Sequence, residues 1–384
     1  MTQPTPFNIH QSPASALRAG ADPAMVRGIA EKNLQRALTV GRQGAAAVVE
    51  RVMREVPHDQ LAPAAKLRVT ISDDDRVAHL LLPTETRPMH PHAFDQIAER
   101  AGVPRAYAHA LLEQADAIKD GERPDAWRHR LLEHTFQQHL QHSRDRFLVR
   151  SVDGTAKGIL SDRFKRYDSR PLLEAFVADC DAVGAVPVDG VGGEVRLAMR
   201  AIVPTMLEPV PGEFIVLGLE WRNSDFGAGA YSVNAYLLRC ACLNGVVQSR
   251  EIRAVHVGGR LDESTLWSDR TRDLDLKTLV SQTSDAVKGL LGEKGRQSIF
   301  EAIQAAHAAP MTPEGATRTL AKRLTKAETG SVVEAFKSDD VVNLPPVQSR
   351  YRLSQAISWL ANREGTSEER RLELQTVAGD VMAA

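Results

Sequence analysis

The chain has 384 residues, 43% hydrophobic and 25% charged, values that exclude wholesale disorder and allow one large or two medium cores. A formal net charge of -1 at pH 7 provides no global field for a polyanion, so any nucleic-acid affinity has to come from a local patch. Cys180, Cys240 and Cys242 are too few and too uneven for a disulfide framework, no secretory leader pattern opens the chain, and no apolar run approaches the roughly 20 residues of a bilayer span; a reducing cytoplasm and no membrane role are expected.

The opening MTQPTPFNIHQSPAS is polar and proline-rich and reads as a flexible arm. Pro23 to Val56 then carries Ala, Leu and Val at helical spacing, and the two together make an N-terminal extension of residues 1–60. From Lys66 the period drops to two: Leu67, Val69 and Ile71 alternate with polar residues, Ser72 to Arg76 form an acidic turn, and Val77 to Leu82 return as the second arm of a hairpin. Phe94, Ile97, Ala98 and Ala101 mark a helix stopped by Gly102, and Pro104 opens another. The pair has a helix-turn-helix outline, yet a helical hairpin packed on the sheet explains every apolar position. Trp127 to His142 forms a further helix.

Arg146 to Arg170, RFLVRSVDGTAKGILSDRFKRYDSR, carries a net charge near +4 inside this neutral chain. Phe147, Val149 and Ser151 alternate up to Asp153-Gly154, and Ile159 with a Phe164/Tyr167 arm follows, which predicts a β-hairpin with a tight turn. Cations and aromatic rings together are what a single nucleic-acid strand needs, phosphates against the former and base faces on the latter. The candidate nucleic-acid-binding residues are Arg146, Arg150, Lys157, Arg163, Phe164, Lys165, Arg166 and Tyr167, with Arg222 on a neighbouring strand. Arg196, Arg200, Arg222 and Arg239 either extend this face or are a scattered solvated set.

A proline-started helix to about Val183 is followed by strand-like segments, Glu194 to Val203, Phe214 to Trp221, Ala230 to Cys242 and Val246 to Val257, divided by Gly192-Gly193, Pro211-Gly212, Gly227 to Gly229 and Asn244-Gly245. From Asp273 the pattern is helical to the end. The expected fold is therefore α+β: a central, mostly antiparallel sheet with flanking helices and helical N- and C-terminal segments, divided into the extension, a core of residues 61–272 and a helical region of residues 273–384 packed on it.

Eight of the twelve histidines fall between His79 and His142, but His129, His134 and His139 recur every five residues, about 140 degrees apart on an ideal helix, and line no common face. Cys240 and Cys242, two apart on an expected strand, point to one face in apolar surroundings and read as a buried pair. Neither Gly190 to Gly193 nor Gly227 to Gly229 has the strand-loop-helix context of a phosphate loop, and no nucleophile elbow occurs. No catalytic residue, metal ligand or cofactor is assigned. An enzyme acting on nucleic acid or a nucleotide would need a cleft in which two or more of Asp162, Asp168, Asp225 and His256 converge.

The series GVPRAY, WRHRLLEH, FLVRSVDGTAKGILSDRFKRYDS, SDFGAGAYSVNAYLLRCACLNG, AETGSVVEAF and YRLSQAISWLANR resembles the phage/plasmid-like family, domain of unknown function 932, from about Leu61 to Ala378. The Leu-Ser-Asp-Arg-x-x-x-Tyr-Asp and Cys-x-Asn-Gly segments are its more specific parts, and the N-terminal helical extension departs from the family's usual look. The resemblance implies a mobile-element protein, expected to bind single-stranded DNA as an oligomeric annealing or recombination-associated factor; the alternative is an interaction protein that modulates a host defence or replication factor through its helical ends without touching nucleic acid.

Overall fold

A computed structural model describes residues 22–72, 76–113, 127–254, 256, 268–338 and 344–384. The N-terminal arm and the centre of the acidic turn lie outside them. Asp22 caps the first helix by accepting from the Ala24 amide, Pro23 pre-sets its first turn, and α1 (Pro23–Arg54) follows. Ala30, Leu34, Ala37, Gly41, Ala45, Val48 and Val52, spaced by threes and fours, form its buried stripe. A Cβ on Gly41 would sit 1.7 Å from the Val188 carbonyl oxygen. The helix therefore lies directly on the backbone of the main sheet and is part of the core.

The described strands form three sheets in which every pair is antiparallel. β1 (His58–Pro63), a strand the sequence pattern does not show, pairs with the expected hairpin β5 (Arg146–Val152) and β6 (Thr155–Ser161) in the order β1-β5-β6. β2 (Arg68–Ile71) and β3 (Ala78–Leu81) make the second hairpin, extended by β4 (Thr86–Pro88). Against these two small sheets pack α2 (Pro91–Arg100), α3 (Arg105–Glu113) and α4 (Trp127–His142), through a core that includes Leu80, Phe94, Ile97, Leu132, Phe136 and Val149. Gly102 ends α2 at φ 67, as expected of a left-handed cap.

After α5 (Ser169–Ala182) the main sheet runs β12-β11-β10-β8-β7, with β9 (Leu207–Val210) paired to β10. Its strands are β7 (Val186–Gly192), β8 (Leu197–Ile202), β10 (Glu213–Asn223), β11 (Tyr231–Arg239) and β12 (Asn244–Ala254). Helices α6 (Asp269–Leu291), α7 (Glu293–Ala308), α8 (Pro313–Leu320), α9 (Lys326–Lys337), α10 (Arg350–Ala361) and α11 (Glu368–Ala383) complete the fold. Met199, Leu217, Trp221 and Val233 share one core with Phe176, Val287, Phe336, Ile357 and the C-terminal half of α1 (Ala45, Val48, Val52), whereas Ile202, Val216 and Tyr236 pack with its N-terminal half (Ala30, Leu34, Ala37). Burial on both faces explains the near-continuous apolar runs of these strands. α11 closes against β12, where a Cβ on Gly379 would meet the Val247 carbonyl oxygen at 1.8 Å.

Two local expectations change. β6 stops at Ser161, so Phe164 and Tyr167 belong to the irregular connection into α5 and not to a hairpin arm. Arg239 pairs directly with Asn244, so residues 240–243, with Leu243 at φ 55, make the β11–β12 turn, and Asn244-Gly245 begins the next strand. Cys240 and Cys242 thus sit in that turn rather than on a strand; burial pushes the Cys240 thiol up to about 12 and raises that of Cys242, away from thiolate chemistry.

Candidate functional site

The site begins with a turn. Asp153 at φ 49 and Gly154 at φ 77 give two successive left-handed residues, the geometry that matches the twist of a two-residue hairpin. The turn pairs Val152 with Thr155 and Ser151 with Ala156; a bulge at Lys157 then shifts the register by one, so that Arg150 lies opposite Gly158 and Phe147 opposite Ser161, while across the other edge of β5 Arg150 faces Asp59 of β1. A Cβ on Gly158 would stand 3.2 Å from the Phe226 backbone, so the absent side chain lets the loop after β10 lie against the hairpin. That approach brings Asp225 to Arg150.

Arg150 is 1% exposed. Its Nε donates to Asp59 Oδ1 at 2.7 Å, its second terminal nitrogen to Asp168 Oδ1 at 2.6 Å, and its first to the Asp225 backbone oxygen at 2.9 Å. A rigid guanidinium fork suits such a cage, because three separate acceptors can be met by one planar group. Asp225 Oδ1 accepts from the Ser169 amide and hydroxyl, each at 2.8 Å, and Asn223 Nδ2 donates to the Tyr167 carbonyl and to Ser169 Oγ. Burial pushes the Asp225 carboxyl up to about 6; Asp168 adds to the rise, and Arg150 with the Ser169 bonds opposes it.

His256 stacks on Phe164 with ring centroids 4.7 Å apart and planes 2° from parallel. Its Nδ1 faces the Lys165 carbonyl at 2.9 Å and its Nε2 faces Asn223 Oδ1 at 3.1 Å. Both neighbours are acceptors, so a neutral ring satisfies only one of them. Burial holds the imidazole pKa below its usual value, the Lys165 carbonyl pulls the other way, and Arg150 reinforces the depression. Asp168, Asp225 and His256 thus gather around one arginine; Asp162, in the turn after β6, makes no hydrogen bond or ion pair with them among the described residues. Asp168 keeps 39% of its side chain exposed beside the buried Asp225. The group therefore joins a solvent-facing carboxylate to two buried groups whose proton affinities are displaced in opposite directions, an arrangement able to hold or pass a proton near neutral pH.

The other predicted binding residues fall into two sets. Arg146 and Arg163 are exposed. Lys157 is bound to Glu55 at 3.1 Å, Arg166 Nε to Asp59 Oδ2 at 2.7 Å, and Lys165 Nζ to Asp275 at 2.9 Å. Burial works against the Lys165 charge, but the bonds to Asp275 and Tyr167 outweigh it and raise its pKa. Phe164 is partly buried and Tyr167 is buried, its hydroxyl donating to Asp275 at 3.0 Å. Arg222 pairs with the buried Glu220 and donates to the Leu372 carbonyl at 3.2 Å.

The wider arginine face does not form a surface. Arg200 is enclosed by Asp189, Glu220 and Gln375, Arg239 is held by Glu213, and Arg196 donates to the Ala228 carbonyl. Asp59, Ser169, Asn223 and Asp275 were not singled out from the sequence. Only the polar Asn223-Ser224-Asp225 run at the end of an apolar strand signals part of this set. Among the described residues no group of three or more His, Cys, Asp or Glu is placed to hold a metal, and no helix is long and apolar enough to cross a membrane. No protein-family model matches this chain, nor does any curated protein or solved structure.

Proposed function

We propose that this chain is a phage/plasmid-like protein that binds single-stranded DNA at the end of the β1-β5-β6 sheet, as an annealing or recombination-associated factor of a mobile element. The observation that carries this reading is the hairpin register. With Phe147 opposite Ser161, Arg146 at the start of β5 and Arg163 just past the end of β6 stand at the same end of the hairpin, both exposed, and the partly buried Phe164 ring follows Arg163 directly. Two exposed cations at this end of the hairpin, with the Phe164 ring next in the chain and stacked on His256 and the caged Arg150 5.9 Å from its centroid, support a phosphate-and-base footprint in which the free edge of the ring meets the base. Lys165 and Arg166 flank the ring and share their charge with Asp275 and Asp59, so they support the footprint less than their number suggests.

Fluorescence anisotropy with a labelled oligonucleotide, at low and raised salt, tests the reading. Salt-sensitive binding at roughly 10 µM protein is expected. Arg146→Ala with Arg163→Ala should weaken it and flatten the slope of log affinity against log salt by about 1.4, since each phosphate neutralised on a single strand contributes about 0.7. Absence of binding in both salts refutes the reading and turns attention to a protein partner of the helical ends. A second reading rests on the convergence of Asp168, Asp225 and His256: an enzyme that moves a proton on a nucleic acid or nucleotide. Conversion of the labelled oligonucleotide to a new species, lost in Asp168→Asn, would favour it over simple binding.

A further inference from the structure

α6 ends and α7 begins at Gly292, whose amide donates to the Lys288 carbonyl and whose carbonyl accepts from the Arg296 amide. The break leaves a cavity of about 310 Å³ between these helices, the end of α5 and the β8–β9 connection. Val183, Val203, Leu207, Leu217 and Leu291 line it. Four of the five are only partly buried although they pack against the main core, so apolar surface is left facing the space. Lys288 and Arg296, one on each side of the break, also line it; both are exposed, and no ion pair of either is seen among the described residues.

We propose that this cavity binds an amphipathic monoanion: a carboxylate bound by Lys288 and Arg296, with an apolar body lying along Val203, Leu207 and Leu217. Size and charge decide the occupant. A cavity of about 150 Å³ takes up benzene, so this one has room for roughly ten to twelve carbons. Its volume lies at the lower end of small-molecule sites, which also combine a mainly apolar lining with a few orienting polar groups. Two cations lining one apolar cavity, neither in an ion pair among the described residues, select a negative head over a neutral or positive one. The site is separate from the Arg150 group and independent of the reading given to it.

Calorimetric titration of the full chain with hexanoate, octanoate and decanoate, and with 1-octanol as the uncharged control, tests the proposal. One saturable site is expected, tightening about fourfold per added methylene, because each buried methylene adds a fixed increment of transfer energy. Octanol should bind more weakly than octanoate, and Lys288→Glu with Arg296→Glu, both surface changes, should weaken octanoate by about tenfold or more. Val203→Trp fills the space and should abolish binding; circular dichroism establishes that each variant is folded. Absence of binding by decanoate overturns the proposal, as does stoichiometry well above one, or octanoate binding that neither charge reversal nor Val203→Trp alters.

Discussion

Replacing Asp225 with Asn removes a titratable proton and its charge while changing almost no shape. Its Oδ1 accepts from the Ser169 amide and hydroxyl, a role the amide oxygen of Asn can keep. What is lost is a carboxyl whose pKa rises from 3.8 to about 6, chiefly through burial. The sign follows from linkage. A folded chain that holds the Asp225 proton more tightly than the unfolded one binds more protons between those two values, so stability falls as pH rises across that window. A rise of about two units corresponds to roughly 3 kcal/mol, absent below about pH 4 and fully expressed above about pH 7. His256, whose pKa is depressed, contributes with the opposite sign but is common to both proteins. Urea denaturation at intervals from pH 4 to 7.5 should therefore show Asp225→Asn gaining about 3 kcal/mol relative to the parent over that range, whatever the offset at pH 4. Parallel stability curves would show that the carboxyl titrates normally and that the cage around Arg150 does not bury it.

Arg352, 1% exposed, donates to the carbonyls of Phe336, Pro345 and Ser338 at 2.8, 2.6 and 2.7 Å, and so ties the end of α9 to the start of α10. Arg352→Met leaves those buried acceptors unpaired and should cost about 3–5 kcal/mol, read as a lower urea midpoint with an unchanged slope. Gly41→Ala and Gly28→Ala, on the same helix, should have opposite signs. The Cβ at 41 would enter the Val188 carbonyl and should destabilise by about 3 kcal/mol or more, whereas the Cβ at 28 meets nothing within 4 Å and should gain up to about 1 kcal/mol of helix propensity. Thermal unfolding of the two variants side by side measures the contrast.

Where local rules decide the outcome, the residues announce it. Asp153-Gly154 marks its turn, Gly102 its helix end, and α4 spans Trp127–His142 as its pattern indicates. β1 is hidden because His58-Asp59-Gln60 carries no apolar alternation; it becomes a strand only by pairing with β5. β7 is hidden by its glycines, which are small for a reason the sequence does not state: a Cβ on Gly190 would stand 2.6 Å from the Gly44 carbonyl oxygen of α1. The arginines are the larger lesson. A run such as Arg146 to Arg170 has the composition of a phosphate-binding surface, yet Arg150 and Arg200 are caged. Their partners lie at sequence separations from 11 to 175 residues, and Asp59 and Gln375, 91 and 175 residues away, are beyond any window that periodicity can sense. Charge in a sequence is legible; whether that charge has been spoken for depends on tertiary contacts.

The two helices that approach the main sheet most closely stand near opposite ends of the described chain, α1 on β7 and α11 on β12. During vectorial synthesis at about 5–20 residues per second, α1 emerges with its Ala/Gly stripe uncovered and waits roughly 7 to 30 s for β7 to follow. β12 waits again for α11, which follows it only after five intervening helices of the described chain. The nascent sheet thus spends its first moments with both flanks open to other chains, and a chaperone that shields the α1 stripe would do most good early in translation, long before the hairpin that carries the proposed binding surface has anything to bind.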